Sequence, residues 1–125
     1  MSNAPISLAD SDIKIPTGTM LGKISELPDH GGKEVIFDEE TGRLSLLIQY
    51  IKGEVYTYIN VCPHAGTPLN MNNEKFVDLT GSQLLCKTHG ARFRITDGAC
   101  IDGPCKGESL QAVAVTVAGD YIFSA

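Results

Sequence analysis

No stretch of the sequence approaches the roughly 20 consecutive apolar residues that a membrane-spanning helix requires, so no span of a bilayer is expected. Basic charge is also scarce, with 10 Lys and Arg against 15 Asp and Glu and a net charge of -5. Neutralising phosphates needs a concentrated basic surface, so nucleic acid is not an expected partner. The opening MSNAPISLADSDIKIP has neither a basic start nor a continuous apolar stretch, and does not read as a signal peptide. A cytoplasmic location is therefore expected, where four cysteines favour metal binding over a disulfide framework. No segment of 12 or more residues keeps a helical period, and there is no repeat and no low-complexity tract. No Ser-His-Asp set or phosphate loop is present, so the chain is not expected to be an enzyme in its own right. Its 125 residues, 42% of them hydrophobic, suit one globular domain and leave no room for a second of ordinary size.

What is present reads as short strands. Residues 1–19 mix Ser, Asp and Pro with few periodic apolar positions and predict an irregular N-terminal arm, ahead of a single domain over 20–125. Candidate strands at 21–27 and 34–37 are joined by a turn at 28–32 that contains His30, a lone and exposed histidine. Asp38, Glu39, Glu40, Thr41 and Gly42 form a solvated turn rather than a set of catalytic carboxylates. Residues 44–51 and 54–61, rich in β-branched and aromatic side chains, meet at Lys52-Gly53 as a hairpin. Residues 91–95 and 99–101 flank Asp97-Gly98, a type I′ hairpin signature. The final pair, 110–117 and 121–123, turns at Ala118-Gly119-Asp120, with Val113, Val115 and Val117 at the strand period of two. Residues 73–79 could supply one turn of helix, and the shape of 70–83 is left open.

The soft ligand types gather in two short words, Cys62-Pro63-His64 and Cys86-Lys87-Thr88-His89, with 21 residues between them. Pro63, Gly66 and Pro68 surround the first word and Gly90 follows the second, and such residues let loops curl their side chains towards a common centre. Each loop then delivers one thiolate and one imidazole. Zinc also takes two Cys and two His in a tetrahedron, which leaves a zinc-stabilised interaction module as one reading. Zinc words usually open with two cysteines two to four residues apart, so Cys-x-His fits that reading less well.

The words C-P-H-A-G-T-P-L and C-K-T-H-G-A-R-F, followed by Gly98 and Gly103-Pro104, resemble the Rieske 2Fe-2S family, most closely its low-potential ferredoxins. The resemblance implies an all-β fold, an antiparallel β-sandwich or partial barrel with a cluster-binding part at about 60–105 built from two ligand loops. It implies one 2Fe-2S cluster, with Cys62 and Cys86 on one iron and His64 and His89 on the other, solvent-facing one. Gly103 and Pro104 resemble the loop that covers the cluster, and Gly66, Thr67, Thr88, Gly90, Ala91 and Phe93 fall around it. The implied function is that of a one-electron carrier, accepting from a flavin reductase and delivering to a terminal oxygenase. A small Rieske-type subunit of a larger reductase, similar to the nitrite reductase small subunit, is the alternative. Lys87 sits between two ligands in an otherwise acidic chain, beside Arg92, Arg94 and Lys106, and is a candidate for docking an acidic partner. Cys100 and Cys105 read as small buried hydrophobes.

Two departures set an expectation for the potential. The respiratory-chain branch of the family carries an extra cysteine in each loop, where this chain has Thr67 and Thr88, so no such bridge can form. That branch also has a serine and a tyrosine donating hydrogen bonds to sulfur, where this chain has Ala91 and Phe93. Donors to sulfur stabilise the more negative reduced form. A redox titration is therefore expected to give a midpoint in the lower part of the Rieske range of roughly -150 to +300 mV. A value well above zero contradicts the reading.

Overall fold

The computed structural model describes residues 5–11, 13–27, 32–40, 42–51, 53–61, 63, 83–86, 90–103 and 107–125, apart from the side chains of Gly32 and Glu39. Among these residues nine strands form three antiparallel three-stranded sheets, none of them closed on itself, with only two short 3-10 turns besides.

Strands β2 (Gly32–Glu39), β3 (Gly42–Ile51) and β4 (Glu54–Ile59) form a meander with β3 in the middle. The β2–β3 pairing runs unbroken from Gly32 opposite Gln49 to Glu39 opposite Gly42, so Asp38 and Glu39 of the expected acidic turn belong to the strand. The Lys52-Gly53 hairpin closes with Ile51 opposite Glu54, and Gly53 takes the left-handed φ of 82° that the turn requires. Strands β1 (Met20–Lys23), β8 (Val115–Ala118) and β9 (Tyr121–Ser124) form a second sheet in the order β1-β9-β8. A third, smaller sheet contains β5 (Gln83–Leu85), β6 (Arg92–Arg94) and β7 (Cys100–Asp102).

Two cores lie on opposite faces of β3, because alternate residues of a strand point to opposite sides. Leu46 and Ile48 pack with Leu8, Ile13, Ile15, Leu21, Val113 and Ile122, while Leu47 packs with Tyr58, Leu84, Cys86, Phe93 and Leu110. Each fully buried aliphatic side chain contributes on the order of 1.5–3 kcal/mol.

The described residues of the N-terminal segment, 5–11 and 13–19, contain one 3-10 turn, Leu8–Asp10, and contribute to the core. Ile6 bridges Val113, Ser7 Oγ donates to the Ala125 carbonyl at 2.7 Å, and Leu8, Ile13 and Ile15 are buried. The strand expected over 21–27 stops at Lys23, and Ile24–Glu26 is a 3-10 turn. Its cause is local capture of the backbone: Glu26 Oε1 accepts from Lys23 N–H at 3.1 Å, and Asp120 accepts from Ser25 N–H and Oγ at 2.9 and 2.6 Å. These bonds to Ser25 hold the Asp120 carboxyl below the usual carboxylate range. The strand expected over 110–117 begins only at Val115; before it, residues 111–113 bridge to the edge of β4, with Tyr58 opposite Ala112. Residues 73–79 lie outside the described residues.

The Asp97-Gly98 signature is corrected. A type I′ turn needs positive φ at both central residues, but Gly98 alone has it, at 74°. The loop has four residues, 95–98, closed by Arg94 N–H to the Ala99 carbonyl and by Gly98 N–H to the Arg94 carbonyl. Asp97 accepts from the Arg94 guanidinium at 3.0 and 2.9 Å and from Ala99 N–H at 3.0 Å, which fixes it in a right-handed turn and holds its carboxyl below the usual range.

Buried Tyr58 donates its hydroxyl to the Ile95 carbonyl and so ties β4 to this loop. Burial, with Asp97 and Tyr56 adding to it, raises the Tyr58 pKa above its ordinary value. The folded state then binds the phenolic proton more tightly than the unfolded one, so stability is full below about pH 10 and falls as pH rises beyond it. Tyr58→Phe is expected to cost about 1–3 kcal/mol in denaturant unfolding at neutral pH. It should also flatten the loss of stability above pH 10, and an unchanged alkaline slope would contradict the assignment.

Candidate metal centre

Of the four proposed ligands, Cys86 is described; Cys62, His64 and His89 lie outside the described residues. Gly66, Thr67, Lys87, Thr88, Pro104, Cys105, Lys106 and His30 lie outside them too, whereas Gly90, Ala91, Phe93 and Gly103 are described. Among the described residues no group of three or more His, Cys, Asp or Glu is gathered as a competing metal site.

Cys86 follows β5 directly, where Gln83, Leu84 and Leu85 pair with Arg94, Phe93 and Arg92. Strand β5 was not foreseen, since three residues are too few to show a period. The pairing carries on into the loop, where Cys86 N–H donates to the Ala91 carbonyl and Gly90 N–H donates back to the Cys86 carbonyl, both at 2.9 Å. Gly90 has φ 71°, a left-handed conformation that only glycine adopts without strain. Cys86, Gly90 and Ala91 are therefore fixed to one another by backbone bonds.

This loop has a twin eight residues on. Arg94 to Ala99 is closed by the same two hydrogen bonds and by Gly98 in the same left-handed region. The twinning is visible as Thr-x-Gly-Ala at Thr88, Gly90 and Ala91 and again at Thr96, Gly98 and Ala99, a short repeat that sequence reading missed. In the twin, the side chains at the first and fourth positions meet, Arg94 and Asp97 at 2.9 Å.

Cys86 is fully buried, outside any disulfide, and surrounded by Leu84, Ala91, Phe93 and Cys100. Ala91 and Phe93 are without solvent exposure and bring no hydroxyl to that environment. Cys100 is buried as expected of a small hydrophobe, its thiol 3.3 Å from the Asp102 carbonyl. Of the basic residues near the ligand words, Arg92 is half-buried and Arg94 is exposed and paired with Asp97. After β7 the chain turns over Ala91 at Gly103. A Cβ placed on Gly103 would lie 2.8 Å from Ala91 Cα and 3.3 Å from its N and Cβ, and the φ of 100° is itself a glycine conformation. The backbone return from Cys100 N–H to the Glu108 carbonyl and from Leu110 N–H to the Gly98 carbonyl holds this covering segment down.

The sequence matches the model of the Rieske [2Fe-2S] domain over residues 18–117. The chain belongs to this family. A 2Fe-2S cluster is accordingly its cofactor, and the buried, unbridged Cys86 thiol fits that group. No curated protein matches the sequence. Solved structures sharing the Rieske fold include the ferredoxin of carbazole 1,9a-dioxygenase from Nocardioides aromaticivorans IC177, at 24% identity and TM-score 0.67, over 88% of this chain and 98% of that one. The Sphingomonas yanoikuyae B1 ferredoxin matches at 23% identity and TM-score 0.67, over 86% of this chain and 96% of its own. In the reduced complex between oxygenase and ferredoxin of carbazole 1,9a-dioxygenase, a chain matches at 21% identity and TM-score 0.69. There the match covers 86% of this chain but 29% of the other, so the Rieske fold is one part of a longer polypeptide.

Gly103→Ala is expected to strain the backbone and lift the covering segment off Ala91, costing on the order of 1–3 kcal/mol. Thermal unfolding of the purified protein checks the cost, and a melting temperature equal to wild type would contradict the close approach.

Proposed function

We propose that the chain is a Rieske-type ferredoxin, a one-electron carrier between a flavin reductase and a terminal oxygenase, whose cluster is held by Cys62, His64, Cys86 and His89. The observation that carries the ligand assignment is the twin loop. By sequence, Cys86 and His89 are spaced as Arg94 and Asp97, and Arg94 to Ala99 has the same closing bonds, with the side chains of Arg94 and Asp97 in contact. On this reading the Cys86 thiolate and the His89 imidazole serve one centre. The Cys62 word supplies the matching pair.

Held by these four residues, a 2Fe-2S cluster would supply one-electron exchange. The chain's own residues make that exchange fast and reversible. Buried Phe93, Leu84 and Ala91 keep water from the Cys86 sulfur, and the fixed loop ends limit rearrangement between redox states. Gly103, with Pro104 after it, is the covering segment. Lys87, between two ligands, is the candidate contact for an acidic partner.

Support for a separate carrier comes from coverage: the chain spans nearly all of two ferredoxins of its fold. One of the matched structures is a complex of a ferredoxin with an oxygenase, which makes an oxygenase the acceptor proposed here. Among the described residues no helix is long and apolar enough to cross a membrane. A cytoplasmic location suits the unbridged Cys86 thiol. The zinc-stabilised module finds no support in the family match.

The test is electron relay from NADH through a flavin-dependent ferredoxin reductase to cytochrome c. Wild-type protein is expected to accelerate cytochrome reduction in proportion to its concentration, and Cys86→Ala to abolish the acceleration. Equal rates with wild type and Cys86→Ala would refute the proposal.

A further inference from the structure

Asn60 stands two residues before Cys62, just after β4 ends at Ile59, and its side chain is fully buried. Asn60 Nδ2 donates to Glu34 Oε2 at 3.3 Å and to Ser45 Oγ at 3.2 Å, and Ser45 Oγ donates to the same Glu34 oxygen at 2.6 Å. The backbone is bent at this point: Asn60 N–H donates to the Ser45 carbonyl at 2.9 Å, and Val61 N–H turns back to the Ile59 carbonyl at 2.8 Å. One carboxylate oxygen thus links three strands where the chain leaves the sheet.

The register places this network. Glu34 and Tyr58 are both opposite Leu47, and Ser45 and Asn60 lie two residues along from Leu47 and Tyr58. With a strand period of two, all five share one face, the face whose Leu47 and Tyr58 pack with Cys86, Ala91 and Phe93. A carboxylate partly withdrawn from water is stabilised only when donors meet its oxygens. The mutual bonds therefore fix one orientation of the Asn60 amide and one bend of the backbone.

We propose that Glu34, Ser45 and Asn60 form a positioning unit that sets the direction in which the chain leaves β4 towards Cys62, and so how tightly the cluster is held. The unit acts through the Cys62 loop, without contact with the iron, and the proposal rests on Cys62 being a ligand. Glu34→Ala and Ser45→Ala break it on two different strands. Glu34→Gln keeps an acceptor oxygen while removing the charge. Ser25→Ala is the control, since it loses a hydroxyl-to-carboxylate bond to Asp120 in the turns beside the β1-β9-β8 sheet.

The experiment follows loss of visible absorbance from the purified holoprotein under an iron chelator, with EPR g values after dithionite reduction. Glu34→Ala and Ser45→Ala are expected to lose the cluster roughly tenfold faster, the factor that loss of a partly buried hydrogen bond corresponds to. Their g values should shift as well, while Glu34→Gln and Ser25→Ala stay close to wild type. Wild-type rates and g values in both alanine variants would overturn the proposal. So would Glu34→Gln behaving like Glu34→Ala, which would make charge the cause, or Ser25→Ala losing the cluster as fast, which would make general stability the cause. A wild-type protein holding zinc and no iron would instead remove the ligand assignment itself, and the proposal with it.

Discussion

Leu46, Leu47 and Ile48 are consecutive residues of β3 with no solvent exposure. Because successive side chains of a strand point to opposite faces, such a run requires a packed layer on each side. One layer is the β1-β9-β8 sheet with the N-terminal segment; the other is the small β5-β6-β7 sheet that carries the second ligand loop. Cys86 thus shares a core with the middle strand of the β2-β3-β4 sheet. Loss of packing on either face of β3 would reach the loops through Leu47 and Tyr58, which share one core with Cys86 and Phe93.

The metal centre follows from this support. Its chemistry needs two thiolates and two imidazoles held at fixed separation, in surroundings dry enough to limit water at sulfur. Backbone bonds fix Cys86, Gly90 and Ala91 to one another, and Gly103 approaches Ala91 closely. On the other side, the bonded Glu34, Ser45 and Asn60 stand at the root of the first loop.

The sequence discloses the cofactor more readily than the scaffold. Cys-x-His and Cys-x-x-His are chemical words whose meaning depends on few neighbours, and the family match over 18–117 agrees with them. Strands β3 and β4 were legible because their β-branched and aromatic runs are long enough to show a pattern. Leu8, Ile13 and Ile15 were not, since they are core residues scattered along an irregular segment, and only tertiary packing buries them. Ile24, Ser25 and Glu26 lost their expected strand to side-chain capture by Glu26 and Asp120, contacts up to 95 residues apart in sequence. Asp97-Gly98 misled because Arg94 and Ala99 claim the Asp97 carboxylate and widen the loop.

The most direct test of the mixed histidine and cysteine centre is to quantify iron, acid-labile sulfide and zinc in anaerobically purified protein, with EPR before and after dithionite. The account predicts about two irons and two sulfides per chain, no signal when oxidised, and a rhombic signal of low average g on reduction. A colourless protein with one zinc and no sulfide would contradict it.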